Sequence, residues 1–357
     1  MASKISAAPI NFEKIPWRTK EWTGEVLSQL NIKVDQTVHE PHDLFISGYV
    51  KIFIKQKHDE KISGFIGQMS RNEKQRVFRS QCLTRALTDV LCIDCVSIDE
   101  VPAFKIGKIE SILQLNACPA KLLGSNQHED FTNFAYSLRV WLTQFVQQLS
   151  IMVRKRKKGT PEEITDGMYK ELFLRFMKIF ETQIIENSNM HSFIIPVGPN
   201  RLPLTPDAVV QSSSCKDLEN DNSIAVIKVN KDSGGEKVGH EEGEMGSRPK
   251  KLKTDSVTSR PLCQLIGDMI AVLPTSVFGS NGIYGFLVKG TKITVVSLEA
   301  DEGFMENLNQ GFVEKGCGVT VKCSKECNIL STEGRLALIQ TLLDMTDLIQ
   351  YLCDSRS

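Results

Sequence analysis

The residues of this chain with types and spacings suited to chemistry fall into three groups. The first is an aspartate and a lysine in two neighbouring strand-like runs, Asp207 in TPDAVV and Lys228 in SIAVIKVNK. Metal-dependent cleavage of a phosphodiester uses two carboxylates on neighbouring strands to hold a divalent cation. A lysine two residues beyond the second acid orients or activates water. One residue separates that acid from the lysine because alternate strand positions share a face. The second group is basic: Arg154, Lys155, Arg156, Lys157 and Lys158 in one run, and Lys250, Lys251 and Lys253 in another. The third is cysteine. Cys92 and Cys95 form a CxxC, and Cys323 and Cys327 lie near Cys317, but no dispersed histidine stands close enough to complete a zinc knuckle.

TPDAVV with SIAVIKVNK, then CQLIGDMIAVL with GIYGFLVKGTKITVVSL, resembles the PD-(D/E)XK superfamily of restriction-endonuclease-like nucleases. Domains of that superfamily, including those of Crinkler-type eukaryotic proteins, place a glutamine-bearing helix before such a hairpin. The resemblance covers about half the chain, from Thr160 to Leu352, on short motifs. It implies that Asp207 is the first metal-binding acid, Lys228 the catalytic lysine and Gln264 an accessory polar ligand. It implies Mg2+ or Mn2+ as cofactor only if the protein is catalytically active.

The second acid of the motif is missing. With Lys228 as the lysine, Val226 stands in the acid's place. With the strand shifted by two, Lys228 replaces the acid and Asn230 the lysine. Replacement acids would have to come from Glu171, Glu181 or Glu186 on the preceding helix, or from Asp217, Glu219 or Asp221 in the connecting loop, with Gln264 as accessory ligand. The expectation is therefore a nuclease-like fold that has lost its metal site and acts by binding nucleic acid or a protein. A rival is an active metal-dependent nuclease with a migrated acid, which requires a carboxylate within about 5 Å of that of Asp207. A third reading is a scaffold or effector-like interaction module.

These residues need a scaffold, and hydrophobic periodicity supplies one. The fold class expected is α/β, α+β overall: a nuclease-like core of a mixed sheet flanked by helices, preceded by a smaller α+β region. Residues 1–20 are expected to form a tail, 21–125 the N-terminal region, and 126–357 a helical lead-in with the nuclease-like domain. Residues 46–54 and 62–67 suggest strands, 72–91 a helix with an arginine-rich outer face, and 93–115 short strands and turns. Apolar steps of three and four predict helices over 128–153 and from Thr160 onward, the latter with Thr160, Pro161 and Glu163 as its start signal. Short strands are expected at 193–197, 208–211 and 223–229, a hairpin at 283–298, and helices at 261–273 and 333–352. Residues 230–259 hold too little apolar surface to order themselves and are expected to be a disordered insertion.

Composition bounds the function classes. Lysine plus arginine and aspartate plus glutamate both total 43, so attraction to nucleic acid must come from local clusters. An apolar share of 41% suits a globular protein. No N-terminal apolar run and no stretch of ~18 apolar residues suggests secretion or a membrane span. The expected location is intracellular and nuclear, because Lys250, Lys251 and Lys253 match an import signal that a receptor would bind. The expected partners are DNA or RNA, or a protein. The scattered cysteines fit reduced, buried thiols. No P-loop, dinucleotide fingerprint, GxSxG elbow or HExxH occurs, so kinase, dehydrogenase and hydrolase readings have no motif behind them.

Overall fold

The computed structural model describes residues 7–45, 59–114, 132–157, 164–182, 184–186, 192–211, 223–230 and 259–354. In chain order the elements are β1 (Ala7–Pro9), α1 (Gly24–Gln29), β2 (Ile32–His39), α2 (Asp59–Arg71), α3 (Glu73–Arg85), α4 (Ala103–Gln114), α5 (Thr132–Lys157) and α6 (Asp166–Lys178). They continue with β3 (Ile184–Glu186), β4 (Phe193–Val197), β5 (Asn200–Leu204), β6 (Ala208–Gln211), β7 (Ser223–Asn230), α7 (Arg260–Val272), β8 (Gly282–Lys289) and β9 (Lys292–Ala300). Last come α8 (Phe304–Gln310), β10 (Phe312–Glu314), β11 (Val319–Ser324), β12 (Cys327–Asn328) and α9 (Thr332–Asp354).

One mixed sheet organises the molecule, in the order β2-β11-β9-β8-β7-β6-β3, with β12 also on β9. The β2–β11 and β7–β8 pairs are parallel and the others antiparallel. The fold class is thus a mixed sheet flanked by helices. β7 and β8 are buried on both faces, which is why they read as near-continuous apolar runs.

Alternation along the strands sends side chains into two separate cores. On one face Val209, Val226, Ile283, Leu287, Val296 and Leu298 pack against α7, Trp22 and α1. On the other Val210, Ala225, Ile227, Phe286 and Val295 pack against the apolar sides of α5, α6 and α9. The described residues between 21 and 114 enter both cores, and β2 supplies the edge strand beside β11. The N-terminal region thus shares its sheet and cores with the rest of the chain.

Several local expectations change. Residues 1–20 are not a tail where they are described: β1 pairs with β10, and Ile10 and Ile15 are buried. Residues 62–67 lie in helix α2, not in a strand. Phe65 meets the Tyr351 ring at 5.7 Å, and Gly64 leaves the space that the Tyr351 hydroxyl fills. Residues 103–114 form helix α4 in place of strands, with Ile106, Ile109 and Leu113 buried at helical steps. The helix expected from Thr160 begins at Asp166, after Thr165 at the N-cap. The chain after Val197, for which no strand is expected before residue 208, folds back as β5, a hairpin with β4. The expected strand at 46–54 and most of the insertion at 230–259 lie outside the described residues, although Asn230 ends β7 and Ser259 is the N-cap of α7.

Candidate active site

Asp207 stands where the chain enters β6 after Thr205-Pro206. The β6–β7 register pairs Ala208 with Ile227, so one step further places Asp207 opposite Lys228. Both side chains belong to the face covered by α7, since Val209 and Val226 do. The backbone N–H of Val229 donates to Asp207 Oδ2 at 2.9 Å, which fixes the carboxylate against β7. Lys228 Nζ approaches the same oxygen to 3.5 Å.

Helix α7 supplies a second carboxylate to this point. Asp268 Oδ2 is also 3.5 Å from Lys228 Nζ, so one ammonium faces two acids. Comparison with protein-family models, with curated proteins and with solved structures gives no match to this chain. The geometry of the site carries the functional argument by itself.

Asp268 is only 2% exposed, whereas the Asp207 and Lys228 side chains retain 28% and 20%. The group therefore opens to solvent on the Asp207 side and is sealed on the helix side. Burial pushes the Asp268 carboxyl up to about 6, against the pull of the Lys228 charge. Burial also works against the Lys228 ammonium, but the charges of Asp268 and Asp207 outweigh it and hold the group above its ordinary value. Asp268 Oδ1 accepts from the Thr19 hydroxyl at 3.2 Å, while Oδ2 is buried with no hydrogen-bond partner.

Two glycines let these elements approach. A Cβ on Gly267 would lie 2.6 Å from Thr19 Cγ2, so only glycine admits the N-terminal segment this close to α7. A Cβ on Gly285 would lie 2.7 Å from Met269 Sδ, so glycine on β8 also lets α7 settle onto the sheet. Gln264, one turn before Asp268 on the same helix face, donates from Nε2 to the Lys20 carbonyl at 3.1 Å. Arg260, a further turn back, donates to the same carbonyl at 2.7 Å.

The other expected residues separate from this site. Glu171 pairs with Arg175 at 2.6 Å and Glu181 with Arg79 at 3.5 Å, so neither supplies the second acid. The side chain of Glu186 and all of Asp217, Glu219 and Asp221 lie outside the described residues. Val226 is fully buried in the apolar core beneath α7. In the basic run, Arg154 pairs with Glu110 at 3.1 Å and Arg156 with Asp99 at 2.5 Å. Lys155 and Lys157 stand on the same last turn of α5, while Lys158, Lys250, Lys251 and Lys253 lie outside the described residues. Two arginines of α3 are engaged internally, Arg76 with Asp344 and Asp347, and Arg79 with Asp347 at 3.2 Å, while Lys74 and Arg85 are exposed. Cys317 and Cys323 belong to one core and Cys327 to the other. Among the described residues no group of three or more His, Cys, Asp and Glu side chains gathers within reach of one ion.

Proposed function

We propose that this chain is a divalent-cation-dependent phosphodiesterase of the nuclease type, whose second acid stands on helix α7 in place of strand β7. The observation that carries this reading is the single ammonium of Lys228 at 3.5 Å from both Asp207 and Asp268. The strand position is Val226, and the helix packed over it restores the missing charge from the opposite side. Two carboxylates and a lysine are the chemical set that the PD-(D/E)XK motif assembles from a strand pair.

The donor set suits a hard cation. Carboxylate oxygens are the ligands Mg2+ and Mn2+ prefer, with water completing the shell. Asp268 Oδ2 is a buried acceptor that faces the Lys228 ammonium at 3.5 Å and has no shorter hydrogen bond, so a ligand would complete its contacts. Asp207 and Asp268 would hold the ion, which supplies charge stabilisation of the phosphoryl oxygens and a more acidic water. Lys228 keeps both acids oriented and offers a cation at the substrate phosphate. The Val229 N–H holds Asp207 in place.

The assay is cleavage of single- and double-stranded DNA and RNA with Mg2+ or Mn2+. Cleavage that disappears with EDTA and with Asp207→Ala is the expected result. Absence of cleavage on every substrate, with the protein folded, defeats the reading.

A second reading has its own observation. Lys228 is an internal cation between the acids, and its charge can neutralise them without a metal. This supports a nuclease-like binder of nucleic acid or protein with no activity. Tight oligonucleotide binding that is indifferent to Mn2+, without cleavage, selects it.

Among the described residues no helix is long and apolar enough to cross a membrane. The run Lys250, Lys251 and Lys253 supports nuclear import through a receptor. A fluorescent fusion is expected to concentrate in nuclei and to spread evenly once all three lysines become alanine. Even distribution of the unmodified fusion removes that part of the proposal.

A further inference from the structure

The segment from Pro16 to Trp22 packs on helix α7 beside Asp268, and it is pinned at several points. The Pro16 carbonyl accepts from the Trp22 indole at 3.3 Å. Thr19 donates to Asp268, and the Lys20 carbonyl accepts from both Arg260 and Gln264. Trp22 is fully buried, and Gly267 brings helix α7 against the segment. Between these anchors Trp17 keeps 65% of its surface exposed.

Exposed apolar side chains are ordinary when single. Phe104, at 81%, is another on this molecule. Trp17 differs in its setting. It stands two residues from Thr19, which touches Asp268, so the chain keeps the two Cα atoms within about 7 Å. Its backbone is held from both sides, so the ring is presented at little further cost in order. Arg18 and Lys20 are exposed beside it in the chain, Arg260 is exposed on α7 against the Lys20 carbonyl, and among the described residues none of them pairs with a carboxylate. Glu21 is the one acid within the segment. An exposed aromatic face among cations that no carboxylate pairs suits an unstacked base followed by its phosphates. A duplex, whose bases are already stacked, offers such a ring only its closed edges.

We infer that Pro16–Trp22 is a docking strap for single-stranded nucleic acid, with Trp17 stacking on a base and Arg18, Lys20 and Arg260 meeting the flanking phosphates. This rests on the phosphodiesterase reading, because the strap would lead a strand towards the acid pair.

The test uses the full chain in EDTA at low salt. Its probes are a fluorescein-labelled 12-nucleotide oligothymidylate, the matching oligouridylate and a hairpin duplex of the same length. The single strands are expected to bind at least tenfold tighter than the hairpin. Trp17→Ala is expected to weaken them by about 5- to 150-fold, the range for loss of one base–aromatic stack, and Trp17→Phe to restore most of the affinity. Equal binding of the hairpin, unchanged affinity in Trp17→Ala, or no binding at low salt overturns the inference. Adding Mn2+ to the same samples separates the two proposals. Trp17-dependent binding without cleavage sinks only the catalytic reading, and cleavage of duplex without Trp17 dependence sinks only the strap.

Discussion

Asp268→Asn protein is expected to be more stable than wild type at pH 7.5, no more stable at pH 4, and without cation-dependent cleavage. Burial holds the Asp268 carboxyl at about 6 in the folded chain, against an ordinary 3.8. Between those values the folded state keeps a proton that the unfolded state has lost. Stability from this group therefore falls as pH rises from about 4 to about 6, and the deficit persists above. A shift of about two units corresponds to roughly 3 kcal/mol. Asparagine imitates the neutral acid, so it does not incur that loss. Lys228 keeps Asp207 as a partner in the variant. Asp344 and Asp347 are also raised by burial, but they titrate alike in both proteins and cancel. Urea unfolding at the two pH values measures the difference. Equal destabilisation at both would mean that Asp268 is a structural anchor and not a strained acid.

Activity should move the opposite way. Removing one of the two carboxylates is expected to lower cleavage by on the order of 100-fold or more, the scale for losing a preorganised charge contact at a reacting centre. Mn2+ affinity of the wild type, followed by calorimetry, should also rise as pH passes through about 6, because the proton and the cation compete for Asp268. A group that costs stability and serves cleavage follows a known pattern, in which active sites concentrate buried charge that the rest of the fold must offset.

Asp268 escaped the sequence for a physical reason. The pleat makes strand positions 226 and 228 neighbours, so a search for the second acid naturally follows the strand. Yet the space above Val226 and Lys228 is filled by a helix, and any residue on its inner face reaches the same point. That pairing joins residues far apart in sequence, and no local spacing encodes it. One signal was present: in CQLIGDMIAVL an aspartate sits among residues apolar on every side, one turn after Gln264. An acid buried on all sides needs a partner, and Lys228 is that partner. The elements with strong periods were legible, including β6, β7, the β8–β9 hairpin, α7 and α9. ISGFIG was not, because β-branched and aromatic residues look alike in a short strand and in a helix that buries one ring. The Pro16–Trp22 segment has no period at all, and only its contacts with α7 order it.

Arg335→Met is expected to cost roughly 3–5 kcal/mol, the scale for stripping one side of a buried charged hydrogen-bond set. Arg335 has no exposed surface, yet it sits in the first turn of α9, where a cation opposes the helix dipole. Its place is explained by carbonyls. The guanidinium donates to Leu87 O at 2.7 Å, Ile93 O at 2.5 Å and Ile329 O at 3.0 Å, and to the Thr332 hydroxyl at 3.2 Å. It thereby ties the chain after α3 to the turn that follows β12 and to the start of α9. Burial pulls its pKa down to about 10, which leaves it charged at neutral pH. Methionine would fill the volume but leave three carbonyls without this donor, whereas Arg335→Lys keeps the charge and can satisfy only part of the fork. Lysine should therefore recover part of the loss in urea unfolding. If methionine costs under 1 kcal/mol, those carbonyls have other donors and Arg335 does not hold the C-terminal helix to the 87–93 segment. If lysine does no better than methionine, the shape of the guanidinium matters more than its charge, and the staple works through geometry alone.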